Sequence, residues 1–394
     1  MISSVSNFKI LPKITRFVAI LGLLGLVTFI CGLFFAPQRI WANFLINFFY
    51  FTGLGVGAGF LIAIQYVANA GWGIAIRRIP EAITSTLPFA AVGGLVLIFG
   101  IHTLYEWSHE AVVAQDTILL EKSVWMNEPL FIARIIGYFV VWILLCKFLV
   151  KNSVKQDEDG DVKYTKRNVR NSVFFLILGI YTFCLASIDW IMSLQPHWYS
   201  TIFGWLNLAS VFESAIAATV IVVVILRHIG YKQIFKTVHL HELGKLMMAF
   251  CFFWVYMWVS QHMLIWYSNI PEETSYYIFR HFGGWGSVSF VNLALNWLVP
   301  FLMLLPRKTK ENDKVMFQAA IILLIGHWVD LYIMIMPSQF GAEPMLGIWE
   351  IGPFIGMISG FFWLVFKSLT KHNLIPTRDP YLVESLPEFE ATKS

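Results

Sequence analysis

The sequence predicts an all-α integral membrane protein of ten transmembrane helices, with both termini on the cytoplasmic side. Three observations predict it. The 394 residues are 58% hydrophobic and 13% charged, about half the charged share of a soluble domain. Ten apolar runs of about 20 residues follow one another along the chain, each long enough to cross a bilayer core as a helix. The cations are sorted by side. With the N-terminus inside, 24 of the 28 Lys and Arg fall at the two termini or around the loops after spans 2, 4, 6 and 8, and only Arg39, Lys122, Arg134 and Arg280 fall outside. That asymmetry sets the orientation and requires an even number of spans.

In order, the spans run over about Phe17–Phe35, Phe44–Ala68, Ile83–Leu104, Phe131–Val150, Val173–Leu194, Ile202–Leu226, Leu246–Tyr267, Val288–Leu305, Met316–Met336 and Gly347–Leu369. The first has a basic lead (Lys9, Lys13, Arg16) like a signal peptide. Its apolar core is too long for one and no A-x-A site follows, so it reads as retained. Span 2 carries Gly53, Gly55, Gly57 and Gly59, two overlapping GxxxG pairs that permit close helix approach. Pro88, Pro300 and Pro353 are expected to kink spans 3, 8 and 10. The hydrophilic stretch 151–171 reads as a solvated cytoplasmic linker. It divides an N-terminal membrane half, 1–150, from a C-terminal half, 172–369, and the cytoplasmic tail 370–394 either packs on a partner or stays mobile. Asp157, Asp159 and Asp161 resemble the start of an EF-hand, but Gly160 follows the second acid and Asn168 holds the twelfth position, so calcium ligation is not expected.

The net charge of +4 says nothing of nucleic acid once the cations are sorted by membrane side. Cys31, Cys146, Cys184 and Cys251 all lie within spans and show no CxxC spacing, which leaves small apolar packing residues rather than disulfides or cluster ligands. His109-Glu110 and His241-Glu242 begin like HExxH, but Val113 and Lys245 stand where the second His would be. Axial haem ligation would call for facing histidine pairs, which the spacing does not supply.

The chemistry concentrates around one polar joint, Leu185–Glu213. Asp189 ends span 5, a turn with Gln195, Pro196, His197, Trp198 and Tyr199 follows, and Glu213 lies midway down span 6. A carboxylate at bilayer depth costs about 2.5–3.5 kcal/mol on insertion scales, so each needs a partner, a proton or a task. For Asp189 the choice is between a proton-carrying acid and an ordinary acid that is solvated or paired with an arginine, with Arg134 on the neighbouring span a candidate partner. Glu213 must face the interior, as a proton carrier or a helix-to-helix hydrogen bond. His327 and Asp330 on span 9 are three apart and share a face; an imidazole beside a carboxylate is a tunable proton acceptor, and the other reading is a polar pair that fixes packing. On span 7, Trp254, Trp258, His262 and Trp266 form one stripe. It is a packing surface or, with Trp258 and His262 as the contacts, a seat for a flat quinone ring. Glu213, His327, Asp330, Asp189 and His262 are thus the proton-relay candidates. The chain offers proton acceptors and nothing to take electrons, so redox centres for quinol oxidation would sit on other subunits.

The segments SIDWIMSLQPHWYSTIFG (187–204) and HELGKLMMAFCFFWVYMWVSQHMLIWYSNIPEET (241–274) resemble the F subunit of bacterial alternative complex III, of the NrfD-type (polysulfide-reductase membrane-subunit) superfamily. The likeness extends over essentially the whole chain. It implies two four-helix bundles, spans 2–5 and 6–9, flanked by spans 1 and 10. It implies a multi-pass subunit, in a bacterial inner membrane, of a quinol:cytochrome c or terminal-oxidase oxidoreductase. A sister NrfD-type subunit and subunits bearing haem c and iron–sulfur clusters would complete the assembly. Here the expected contribution is a proton-translocation path, with menaquinone or another quinone the one cofactor the chain itself would meet. The rival reading, from a different class, is a stand-alone proton-coupled secondary transporter, against which the sequence shows no clear inverted repeat.

Overall fold

A computed structural model describes residues 10–281, 283–341 and 343–386, and every regular element among them is helical. Ten helices are long and apolar enough to cross a membrane: α1 Pro12–Phe35, α2 Pro37–Val67, α3 Arg78–Leu104, α4 Glu128–Asp159, α5 Val162–Leu194, α6 Phe203–Tyr231, α7 Thr237–Ser268, α8 Gly284–Leu304, α9 Asp313–Phe340 and α10 Ile348–Leu369. The ten expected spans are all present.

Local chemistry sets their ends. Proline opens α1, α2 and α4 in the first turn, where its missing N–H leaves no bond unmade. Asn127 caps α4 by accepting from the Leu130 N–H (3.0 Å), Asp161 caps α5 from Lys163 (2.8 Å) and Asn312 caps α9 from Lys314 (2.9 Å). In α3 one helical segment stops at Thr84 and another starts at Leu87 with Pro88 in its first turn. In α8 a π-helical turn, Ala294–Leu298, precedes Pro300, which has no N–H to offer the carbonyl four residues back. Two of the three expected proline kinks thus coincide with breaks in helical regularity. Pro353 instead lies inside an uninterrupted α10.

The chain is built around α2 and α6, whose most apolar stretches are 100% and 94% buried. Helix α2 packs against α1, α3, α5, α6, α9 and α10, and α6 against α2, α5, α7 and α9. Further contacts join α3 to α4, α4 to α5, α7 to α8, α8 to α9 and α1 to α10. The glycine run lets α2 sit this deep. A Cβ on Gly57 would lie 2.6 Å from the Val211 carbonyl and 2.8 Å from Ala215 Cβ, so α2 and α6 touch backbone to backbone.

Two expectations are corrected. The stretch 151–171 keeps most of its side chains accessible, but it is helical rather than a linker between the two halves. Helix α4 runs unbroken through Asp159, Gly160 closes it with φ +71°, and α5 begins at Val162. At 32 residues α4 is about 48 Å long, so it projects beyond a hydrocarbon core and carries its charges with it. Ser153, Gln156 and Asn168 are buried there, and Asp157 meets Arg78 at 2.6 Å. The tail, as far as Leu386, packs on its own chain. Leu374, Ile375 and Leu382 are buried, and Asp379 pairs with Arg77 at 2.7 Å. Its last residues, 387–394, lie outside the described ones. The two ends of the molecule are marked by ion pairs: half-buried Arg39 holds the buried Glu350 bidentately (2.6 and 2.7 Å) at one, and the buried Arg77–Asp379 pair sits at the other.

Candidate functional site

The buried polar groups of α6, α7, α8 and α9 meet in one connected chain. Asp330, on α9, accepts at Oδ1 from Asn292 Nδ2 (2.8 Å) and at Oδ2 from Trp254 Nε1 (3.1 Å) and Ser210 Oγ (3.3 Å). The Ser210 oxygen also lies 2.6 Å from His327 Nδ1. A serine on α6 therefore bridges the histidine and the acid of α9, which do not bond to each other directly. Asn296 donates to Asn292 Oδ1 at 2.6 Å, which fixes that amide so that its NH₂ faces the acid. Beyond this cluster, the His327 ring stacks on Tyr50 of α2 with centroids 5.1 Å apart, and its buried Nε2 has no hydrogen-bond partner among the described residues.

Glu213 lies one turn beyond Ser210 on the same face of α6. Its carboxyl lies beside the Cys251 thiol of α7. Its Oε1 is buried without a hydrogen-bond partner among the described residues. Past Glu213, the buried polar positions of α6 before Arg227 are Ser214 and Thr219, whose hydroxyls are spent on the Ser210 and Ala215 carbonyls, and the buried positions between and beyond them, Ala215–Ala218 and Val220–Val224, are apolar. The polar chain stops near mid-depth.

In the other direction it continues. A cavity of about 30 Å³ is lined on its polar side by Asp330, Asn292, Gln261, Arg280 and Ser289 and elsewhere by apolar groups such as Leu206, Ile333 and Met334, with room for a water or two. Trp258, Tyr277 and His281 are shared between this cavity and a larger one of about 490 Å³, which is also lined by His262, Ile265 and Trp266. Trp258 stacks on His262 (5.6 Å, 14° between planes), and His262 Nδ1 stands 3.3 Å from His281 Nε2. His281, on the short helix Pro271–His281 between α7 and α8, is pulled down to about 4 by burial, with help from His262 and Arg280. It is therefore a neutral imidazole near neutral pH. An aromatic chamber with a pair of histidines thus lies at the Glu350 end and shares Trp258, Tyr277 and His281 with the small cavity that reaches Asp330.

Arg280 organises the junction. Pro337 in α9 has no N–H, which leaves the Ile333 carbonyl without its helical partner. Arg280 Nε donates to that carbonyl at 3.0 Å, and Nη2 donates to Met334 O at 2.8 Å. Its guanidinium lies 3.5 Å from the Tyr276 ring centroid, Trp198 stacks on Tyr276 at 3.8 Å, and Nη1 reaches Gln195 Oε1 at 3.2 Å. The polar turn after α5 is locked to α9 through this one side chain.

Asp189 stands apart. Its carboxylate accepts from Arg134 Nε (2.7 Å), Tyr138 OH (2.6 Å) and Trp125 Nε1 (2.9 Å). Arg134 is its candidate partner from the sequence, and the set ties α4 to α5. The structure therefore brings Glu213, His327 and Asp330 together, places His262 and Trp258 on the connected chamber, and puts Asp189 in a separate, fully engaged cluster. Sequence reasoning missed Ser210, Asn292, Asn296, Gln261, Arg280 and His281. Two signals were there: Asn292 and Asn296 recur one turn apart in an apolar span, and Arg280 is one of only four cations on its side of the predicted topology. Among the described residues no group of three His, Cys, Asp or Glu is placed to hold a metal ion. Comparison with protein-family models and with curated proteins finds no match for the chain.

Proposed function

We propose that this chain is one of the membrane subunits in a quinol-oxidising respiratory assembly, of the NrfD type and similar to the F subunit of alternative complex III, and that it houses an outer half-channel for protons. The observation that carries the reading is the continuous polar path: the histidine-lined chamber, the small polar cavity, Asp330, Ser210 and His327, with Glu213 one turn on. From Asp330 through Ser210 to His327 the contacts are hydrogen bonds, and the small cavity beside Asp330 has room for water, which is what proton transfer between fixed groups requires. The segments that carry the family resemblance supply its walls, since 241–274 contributes Trp254, Trp258, Gln261 and His262, while 187–204 contributes the turn that Arg280 grips.

In this reading a quinone ring lies in the aromatic chamber against Trp258, with His262 and neutral His281 as acceptors for its hydroxyl protons. The electrons leave to haem and iron–sulfur centres on partner subunits. The helix contacts support spans 2–5 and 6–9 as two four-helix bundles joined along α2 and α6, with α1 and α10 as an outer pair. The cation distribution supports an inner-membrane orientation with both termini in the cytoplasm, which puts the Glu350 end outside.

Purification of the tagged chain from its native membranes in mild detergent tests the assignment. Co-purifying subunits with a c-type haem signature in the reduced-minus-oxidised spectrum are expected. A colourless chain recovered alone would overturn the assignment and favour the stand-alone transporter.

A further inference from the structure

A second cavity, of about 340 Å³, lies at the Arg77 end, far from the polar chain. It is walled by Gln65, Tyr66 and Asn69 at the end of α2, by Thr165 of α5, and by Asp379, Tyr381 and Glu384 of the tail. Gln65 is 3% exposed, yet neither its Oε1 nor its Nε2 has a hydrogen-bond partner among the described residues. A primary amide buried with both ends unused is destabilising unless something enters the cavity to satisfy it.

The backbone makes room for this arrangement. The turn Gly71-Trp72-Gly73 passes between the two polar groups. A Cβ on Gly73 would lie 2.8 Å from Gln65 Nε2, and one on Gly71 would lie 1.8 Å from Glu384 Oε2. Any side chain at either glycine would displace the amide or the carboxylate. The charges are unbalanced as well. Arg77 is matched by Asp379 at 2.7 Å and by Tyr66 OH at 3.2 Å, while Glu384 has no ion-pair partner among the described residues. The lining thus carries one net negative charge beside an unused amide. The tail wall is firmly placed: Ser385 Oγ donates to the Trp72 carbonyl at 2.7 Å and accepts from the Ala75 N–H at 3.2 Å.

We propose that this cavity binds a small organic cation, an alkylammonium or alkylguanidinium, with its charged head on Glu384 and a hydrogen-bonding group on the Gln65 amide. An anion would meet unpaired negative charge, and a purely apolar guest would leave the amide unsatisfied. In the orientation proposed above, the site opens to the cytoplasm.

Calorimetric titration of the full-length chain in detergent tests this, with agmatine as the probe and pentanoate as an anion of similar length. Saturable agmatine binding that weakens with added salt is expected, with none for pentanoate. The isosteric Glu384→Gln change should weaken it about tenfold or more, the loss of one charge-assisted contact, and Gln65→Leu should weaken it by a smaller factor. Glu384→Gln conserves shape at an exposed residue, so its fold is secured by an unchanged melting curve. Absence of saturable agmatine binding, equal binding of pentanoate, or unchanged affinity in Glu384→Gln would each overturn the proposal.

Discussion

Replacing Asp189 with Asn should cost stability and leave proton chemistry intact. The carboxylate is 3% exposed and holds three donors at 2.6–2.9 Å, one of them the guanidinium of Arg134, whose side chain is 14% exposed. An amide can keep Trp125 on its oxygen, but it then turns its NH₂ toward Arg134, which can only donate, and toward the Tyr138 hydroxyl, which must turn round to accept. Hydrogen bonds to charged groups contribute about 1.5–3 kcal/mol each, and stripping the partner from a largely buried charge costs about 3–5 kcal/mol. The Coulomb and hydrogen-bond parts overlap, so about 3–5 kcal/mol is expected in all. That loss should lower the midpoint of thermal unfolding in detergent by several degrees. Arg134→Met in the same chain should recover part of the loss, because the stranded charge goes with it. The reasoning is refuted if Asp189→Asn melts like the parent, or if the double variant is no more stable than the single one. It is refuted equally if Asp189→Asn abolishes proton release from an assembly that is otherwise stable.

Four further outcomes are expected. Ser210→Ala removes the bridge between His327 and Asp330 at a cost of about 1 kcal/mol of stability, and should cut proton release per electron while co-purification of partner subunits is unchanged. Glu213→Gln should likewise leave assembly intact and lower proton release, read by a pH dye in reconstituted vesicles. Trp258→Ala should raise the KM for quinol at least several-fold, since one face of the ring site is gone, with a smaller effect on kcat. His281 is held neutral down to about 4 in the folded chain, against about 6.5 for a free histidine. Between those values the unfolded chain binds a proton that the folded one does not, so stability should fall as pH drops from about 6.5 toward about 4. His281→Gln should flatten that part of a melting-temperature profile.

Much of the fold was legible in the sequence because the bilayer imposes one repeated demand: a run of apolar residues long enough to cross. The ends were less legible. Helix α4 runs past Val150 because Asn152, Ser153 and Gln156 find partners or burial among neighbouring helices and the tail, and hydropathy cannot register such pairing. The tail was open between two fates because its anchor, Asp379 on Arg77, spans about three hundred positions of sequence.

At the site, Glu213, His327 and Asp330 stood out because an ionisable group in an apolar span is costly wherever it points. Ser210, Asn292 and Gln261 did not, since neutral polar side chains are common in spans and gain meaning only from what they face. Arg280 shows the same limit. Its task depends on Pro337 freeing a carbonyl more than fifty residues away, a relation that no local pattern carries.

The most direct test of the account is the number of protons released per electron by the assembled complex carrying Asp330→Asn. Among the described residues that acid is the one group that both lines the polar cavity and bonds to the Ser210 bridge, and an amide there can accept but cannot exchange a proton at neutral pH. The account predicts normal assembly and spectra with proton release lowered relative to the parent. Proton release equal to the parent, in a fully assembled complex, would contradict it.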